Sequence, residues 1–200
     1  GETDDRVSIA RISADGDSLW WRRYPREEFN HVDGQMQCCI APDSNVVVAT
    51  RNNVVKLSVE DGDILWRCVI EHHVSGIEPV FNEGFLTAGY TGRWNNAYVA
   101  RIDADGELMW EQEYEAEEAE GCSGFTSVTE GGWCLSVISR FGNGATDLRP
   151  RLVRIDDEGE IIWQRSYPDL YNQPNRLSGI LETEDGGFVA VGEGGGSGRH

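Results

Sequence analysis

The sequence predicts an all-β fold assembled from repeated four-stranded antiparallel units, and three observations carry that reading. A Gly followed four residues later by Trp recurs along the chain, with tryptophans 46, 44 and 53 residues apart. Between these signatures, alternating apolar residues flank Gly-containing turns, as in half-buried β-hairpins. No stretch of useful length shows helical periodicity, although "EAEEAEG" at 115–121 could close a short acidic helical turn.

In chain order, "RISADGDSLWWRRY" is the first signature, a third and fourth strand over residues 6–24 around the turn at Gly16, with Trp20 and Tyr24 following. "MQCCIAPDSNVVVAT", from Met36, is a divergent first-and-second-strand hairpin, and "KLSVEDGDILWRCVI" repeats the signature with Gly62, Trp66 and Ile70. "SGIEPVFNEGFLTAGY" from Ser75 leads to "RIDADGELMWEQEY" with Gly106, Trp110 and Tyr114. "SGFTSVTEGGWCLSVI" from Ser123 leads to "RIDDEGEIIWQRSY" with Gly159, Trp163 and Tyr167, and "SGILETEDGGFVAVGE" from Ser178 ends the pattern. A basic residue opens every signature: Arg11, Lys56, Arg101 and Arg154.

A unit of four antiparallel strands in 44 to 53 residues is a β-propeller blade, because such a unit buries its faces only by standing against its neighbours. The expected architecture is therefore four blades in a single domain. Blade 1 is split between residues 6–24 and 177–192; blade 2 spans 36–70, blade 3 spans 74–114 and blade 4 spans 122–167. Pairing of the N-terminal strands with the C-terminal strands would close the ring and remove exposed sheet edges. The same end patterns would arise if the chain were an excerpt from a larger ring.

The acidic Gly element lies between two strands of one hairpin, where Asp and Gly satisfy local backbone groups and tolerate positive φ. It reads as a turn. Calcium needs six to eight oxygens, and the copies vary from "SADGD" to "DDEGE" without a common ligand pattern. The Trp column reads as packing between blades. The Ser-Gly steps at Ser75, Ser123 and Ser178 begin the strand expected nearest the axis, where small residues permit close approach; the alternative is that these hydroxyls line a channel holding water or an ion.

The formal charge of −18 repels phosphate backbones and anionic membrane surfaces, so neither nucleic acid nor membrane insertion is expected. No apolar run reaches bilayer length, and the N-terminus lacks a secretory pattern. Lys56 is the sole lysine, and acids spread through the loops, a balance that suits a high-salt surface or simply an acidic protein. Cys38, Cys39, Cys68, Cys122 and Cys134 are odd in number and lack C-x-x-C spacing, so buried free thiols are expected. This leans toward a reducing, cytoplasmic compartment, with a secreted mature chain still open.

"VVKLSVEDGDILWRCV" resembles the repeat of quinoprotein-like propellers, including BamB-like proteins, in which an acidic-x-Gly turn precedes an inter-blade Trp. "SGILETEDGGFVAVGE", with segments such as "LVRIDDEGEIIWQRSY", is similar to the repeat of secreted and archaeal propellers of undefined function. The resemblance spans nearly the whole chain. In quinoprotein dehydrogenases it implies a quinone cofactor, a metal and a larger ring. Cys38-Cys39 resembles the cysteine pair that some of those enzymes stack on their cofactor, but Cys38 aligns with Ile77, Phe125 and Ile180, an apolar core column.

No catalytic motif emerges: G-x-S-x-G, H-E-x-x-H and a phosphate-binding Gly loop are all missing from the sequence, and "EGGGSG" lacks the Lys and helix of a phosphate loop. Glu71, His72 and His73 fall in a blade-to-blade connection and read as exposed linker rather than metal ligands. The copies differ most in their second-to-third-strand loops. "YTGRWNNAY" carries Arg93 and Trp94, and "RFGNGATDLRPR" carries Phe141, Arg149 and Arg151, a set suited to recognition on a rigid scaffold or, for Trp94, to covering a blade edge. The expected function is a non-enzymatic interaction module binding a protein or glycan. The alternatives are a lectin-like or ion-binding propeller using its axis, where calcium or another ion would be the cofactor, and a quinoprotein-like enzyme.

Overall fold

The computed structural model describes residues 6–29, 36–80, 83–92, 96–114, 120–140, 148–167 and 175–194. The chain is all-β, with sixteen strands and one four-residue helix among the described residues. Strands β1 (Arg6–Ile12) and β2 (Ser18–Pro25) form a two-stranded sheet followed by α1 (Arg26–Phe29). Strands β3 (Gln37–Ile40), β4 (Val46–Thr50), β5 (Asn53–Leu57) and β6 (Ile64–Val69) form a four-stranded sheet in chain order. So do β7 (His73–Val80), β8 (Gly84–Tyr90), β9 (Ala97–Ile102) and β10 (Leu108–Tyr114). A third such sheet holds β11 (Glu120–Ser127), β12 (Trp133–Arg140), β13 (Leu148–Ile155) and β14 (Ile161–Ser166). Strands β15 (Asn175–Glu182) and β16 (Phe188–Gly194) make a second two-stranded sheet.

These are the antiparallel units of a propeller, and the repeated text becomes repeated geometry. Three third-to-fourth-strand ladders shift register immediately after their basic residue: between Arg11 and Ile12, Lys56 and Leu57, and Arg154 and Ile155. Such a bulge adds twist and re-aims the neighbouring side chain. The turn glycines Gly16, Gly62, Gly106 and Gly159 all have positive φ, from +79° to +90°, which residues with a Cβ rarely adopt.

The chain divides into two compact units: Gly1–Thr87 with Arg101–Met109, and Ala88–Ala100 with Trp110–His200. In the first, Val7, Tyr24 and Phe29 pack with Val48, Val55 and Leu57, so the β1–β2 hairpin and α1 bury their apolar face on β4 and β5. Tyr24 and Phe29 meet edge to face at 5.3 Å. In the second, Ile180, Leu177, Phe188 and Ala190 of the β15–β16 hairpin pack with Val128, Cys134 and Leu152.

Among the described residues, β1–β2 and β15–β16 are each two-stranded, and each is buried on the sheet next to it in sequence. Two expectations need correction. The acidic segment 115–121 contributes Glu120 and Gly121 to strand β11 rather than to a helix, and residues 115–119 lie outside the described set. Cys38 is exposed, not a core residue. It sits on the edge strand β3, and in its unit β1–β2 supplies only outer strands, which bury Val48, Val55 and Leu57 but leave the outward face of β3 in water.

Candidate functional site

The repeated residues act together as a lock between a signature and the turn of the next. Trp20 donates from Nε1 to the carbonyl of Val59 at 2.9 Å, and Trp66 donates from Nε1 to that of Ala104 at 3.0 Å. A Cβ on Gly62 would lie 3.1 Å from Trp20, one on Gly106 2.6 Å from Trp66, and one on Gly159 2.9 Å from Trp110. The indole therefore occupies the space a side chain would need. The Tyr column completes the lock, since Tyr24 donates to the Gly62 carbonyl at 2.6 Å and Tyr114 to that of Gly159 at 2.8 Å. Burial, followed by Cys122, Glu160 and Asp156, pushes the Tyr114 phenol above its ordinary pKa and keeps it a donor.

The basic column is structural too. Lys56, Arg101 and Arg154 are 7%, 3% and 6% exposed. Lys56 meets Asp43 at 2.8 Å; Arg101 donates to the Phe85 and Ile102 carbonyls and pairs with Glu83 at 3.1 Å. Arg154 donates to the carbonyls of Gly131, Trp133 and Ile155. Each ties its third strand to the first hairpin of its own sheet. The repeat aligned these residues, and the Tyr column, without revealing what they bond.

The acidic turns spend their carboxylates on their own backbone. Asp103 Oδ1 accepts from the amides of Asp105 and Glu107, and Asp156 Oδ1 from those of Glu158 and Glu160. Hydrogen bonds from Ser58 and then from the Asp63 amide hold Asp61 below the usual carboxylate range. Among the described residues, no group of three or more His, Cys, Asp or Glu is placed to hold a metal ion.

Ser123 and Ser178 stand at the register shifts that interrupt β11 and β15, between Cys122 and Gly124 and between Leu177 and Gly179. A Cβ on Gly124 would lie 3.2 Å from the Gly179 Cα, so β11 and β15 approach closely there. The Ser123 hydroxyl lies 3.2 Å from the Ser136 carbonyl and Ser178 is exposed, while Ser75 is half-buried on β7. Of the proposed recognition residues, Arg93, Trp94 and Phe141 lie outside the described residues, as does the side chain of Arg149 on β13. Arg151 is buried, donating to Gln164 at 2.9 Å. His73 opens β7 half-buried rather than lying in an exposed linker, and burial, then Arg51, lowers its pKa. Cys39 is half-buried beneath its edge strand, and burial, with Cys38 and Glu78, pushes its thiol up to about 12.

The family described as outer membrane protein assembly factor BamB matches residues 5–169. A crystal structure of a protein of unknown function from Bacteroides caccae superposes with a TM-score of 0.50 at 15% identity, over 92% of this chain and 63% of that one. The Cps50 (Swd1) beta-propeller domain of Myceliophteria thermophila follows with a TM-score of 0.48 at 14% identity, over 95% of this chain and 60% of that one. This chain thus spans less than two thirds of either, and at such identities the likeness speaks to fold alone. No curated protein matches it.

Proposed function

The chain belongs to the family of the outer membrane protein assembly factor BamB, and from that premise we propose that it is a non-enzymatic interaction module that binds a protein partner through its second-to-third-strand loops. One observation supports this most: the residues that repeat are consumed by packing. Indoles cover turn glycines, tyrosines serve turn carbonyls, and the buried basic residues serve first-hairpin turns. Residues available for recognition are those that do not repeat, and the loops at 90–98 and 140–151 concentrate them. Trp94 and Phe141 have the character of binding anchors, being large and of low conformational entropy, with Arg93 next to Trp94 and Arg149 in the same segment as Phe141. The charge of −18 favours a neutral or basic partner and opposes nucleic acid.

The test is affinity purification with the unsubstituted chain, Trp94→Ala and Phe141→Ala, alongside a glycan array. A discrete protein retained by the unsubstituted chain and lost from both variants at unchanged melting temperature is the expected result. Retention by both variants would refute the loop assignment. Specific array hits without a protein partner would replace it with glycan binding, and a bound quinone spectrum would replace it with redox chemistry.

A further inference from the structure

We propose that the β4–β5 turn binds a monovalent cation, sodium or potassium, through the uncharged oxygens of Asn52 and Asn53 and of the main chain around them. The turn lies wholly within the first compact unit, between α1 and the segment 70–74 that enters β7. An excess of buried acceptors over donors carries the assignment. Asn52 Oδ1 and Asn53 Oδ1 are both buried and meet no donor among the described residues. Asn53 as a whole is 2% exposed. Folded interiors supply a partner to nearly every such atom, because an acceptor taken out of water without one forfeits its hydration.

The orientation of Asn53 is fixed from its other end. Its Nδ2 donates to the Glu28 carbonyl at 3.1 Å, and exchanging the two ends of the amide would set oxygen against oxygen. The donors nearby are already spent. Thr50 brings one hydroxyl proton, yet its Oγ1 lies 2.9 Å from the Phe29 carbonyl and 3.2 Å from the Asn53 carbonyl, so it serves one of them at a time. The amides of Ile70 and Val74 are taken by the carbonyls of Asn52 and Arg51, at 3.0 and 2.7 Å. Each carbonyl keeps a second lone pair after accepting one bond. Oxygen therefore accumulates at this turn faster than hydrogen does.

A hard cation is the ligand that accepts several oxygens at once and adds no acceptor of its own. The set here is uncharged, which suits a singly charged ion better than calcium, whose sites bring carboxylates. Glu28 pairs with Arg67 at 2.7 Å and so offers no free carboxylate. His73, which opens β7, has its pKa lowered by burial and then by Arg51, so it brings no positive charge at neutral pH. Arg51 is exposed, where water and salt screen it, and the total charge of −18 concentrates cations around the chain. Bound there, the ion ties α1, the turn and the entry to β7 together. This site is separate from the column of Ser75, Ser123 and Ser178.

The experiment follows urea unfolding in KCl, NaCl and choline chloride at equal ionic strength, with hydrogen exchange read at the Ile70 and Val74 amides. Choline screens charge equally but is too large to be ringed by carbonyls. A midpoint higher in KCl or NaCl than in choline chloride is expected, with a difference that grows as the site fills and slower exchange at both amides. The more effective salt names the ion. Asn52→Ala should abolish the difference. Asn52→Asp should bring half-filling at a roughly tenfold lower salt concentration, since cation affinity grows with the charge of the oxygen ligands. Without a cation the same carboxylate, set where it meets no donor, destabilises in every salt. Asn53→Ala should act as Asn52→Ala does, and if it fails to fold, the two Asn52 variants decide. Identical midpoints in the three salts would overturn the proposal and leave the two oxygens to a buried water; a salt difference that survives Asn52→Ala unchanged would overturn it equally. Neither result bears on partner capture by the loops at 90–98 and 140–151.

Discussion

Gly16 and Gly106 share a φ of +90° but differ in what a methyl group would meet: open space at Gly16, the Trp66 ring at 2.6 Å at Gly106. Comparing Gly16→Ala with Gly106→Ala therefore separates backbone strain from packing. Gly16→Ala should cost about 1 kcal/mol for the left-handed conformation. Gly106→Ala should cost roughly 2 to 4 kcal/mol, because overpacking adds to that strain. Equal losses in chemical denaturation would mean the indole is not held against the turn. Tyr114→Phe should cost about 1 to 2 kcal/mol, since it removes the phenol that serves the Gly159 carbonyl in a buried setting; an unchanged unfolding midpoint would contradict that bond. The Gly and Trp columns were legible because large or conformationally special residues recur visibly. Their contact was not, because the partners lie 38 or more residues apart in sequence.

At the level of the hairpin, carboxylates in the turns link stability to pH. Burial would raise the Asp43 pKa, but hydrogen bonds from Lys56 and Asn45 outweigh it and leave it lowered from 3.8. Thr129 lowers Glu182 from 4.5, and Ser58 lowers Asp61 from 3.8. A carboxylate whose folded pKa lies below its unfolded value contributes stability above the unfolded pKa and loses it as pH falls through the folded one. Urea midpoints should thus be flat from pH 7 to about 5 and fall below about 4, and Glu182→Gln should shrink that fall. A midpoint unchanged down to pH 3 would remove these bonds as stabilising features. The strands were legible from period-two alternation and Gly turns, whereas α1 was not, since four residues are too short to display helical periodicity. Cys38 was misplaced for a related reason: alignment to a column says which face a residue takes, but not whether anything covers that face.

For the whole molecule, a charge of −18 on 200 residues creates self-repulsion that salt screens. Thermal unfolding in rising NaCl should therefore shift upward, most steeply at low ionic strength, and a melting temperature that falls with added salt would show that specific ion pairs outweigh net charge. Pairs such as Arg67 with Glu28 and Arg22 with Asp63 join exposed or half-buried groups and contribute little individually. The loops proposed for recognition carry residues that do not repeat, so the repeat assigned them no role.

The amino-acid order specified the kind of unit, its strand count and the turn between each pair of strands, since alternation, Gly turns and a recurring Trp are local properties. Tertiary structure settled what those residues hold. It seated indole on glycine, buried Lys56, Arg101 and Arg154 of the basic column, and packed the two-stranded β1–β2 and β15–β16 sheets on their neighbours in sequence. Such outcomes depend on which surfaces remain uncovered once each element has found its neighbour, and burial is a property of the packed chain rather than of any segment.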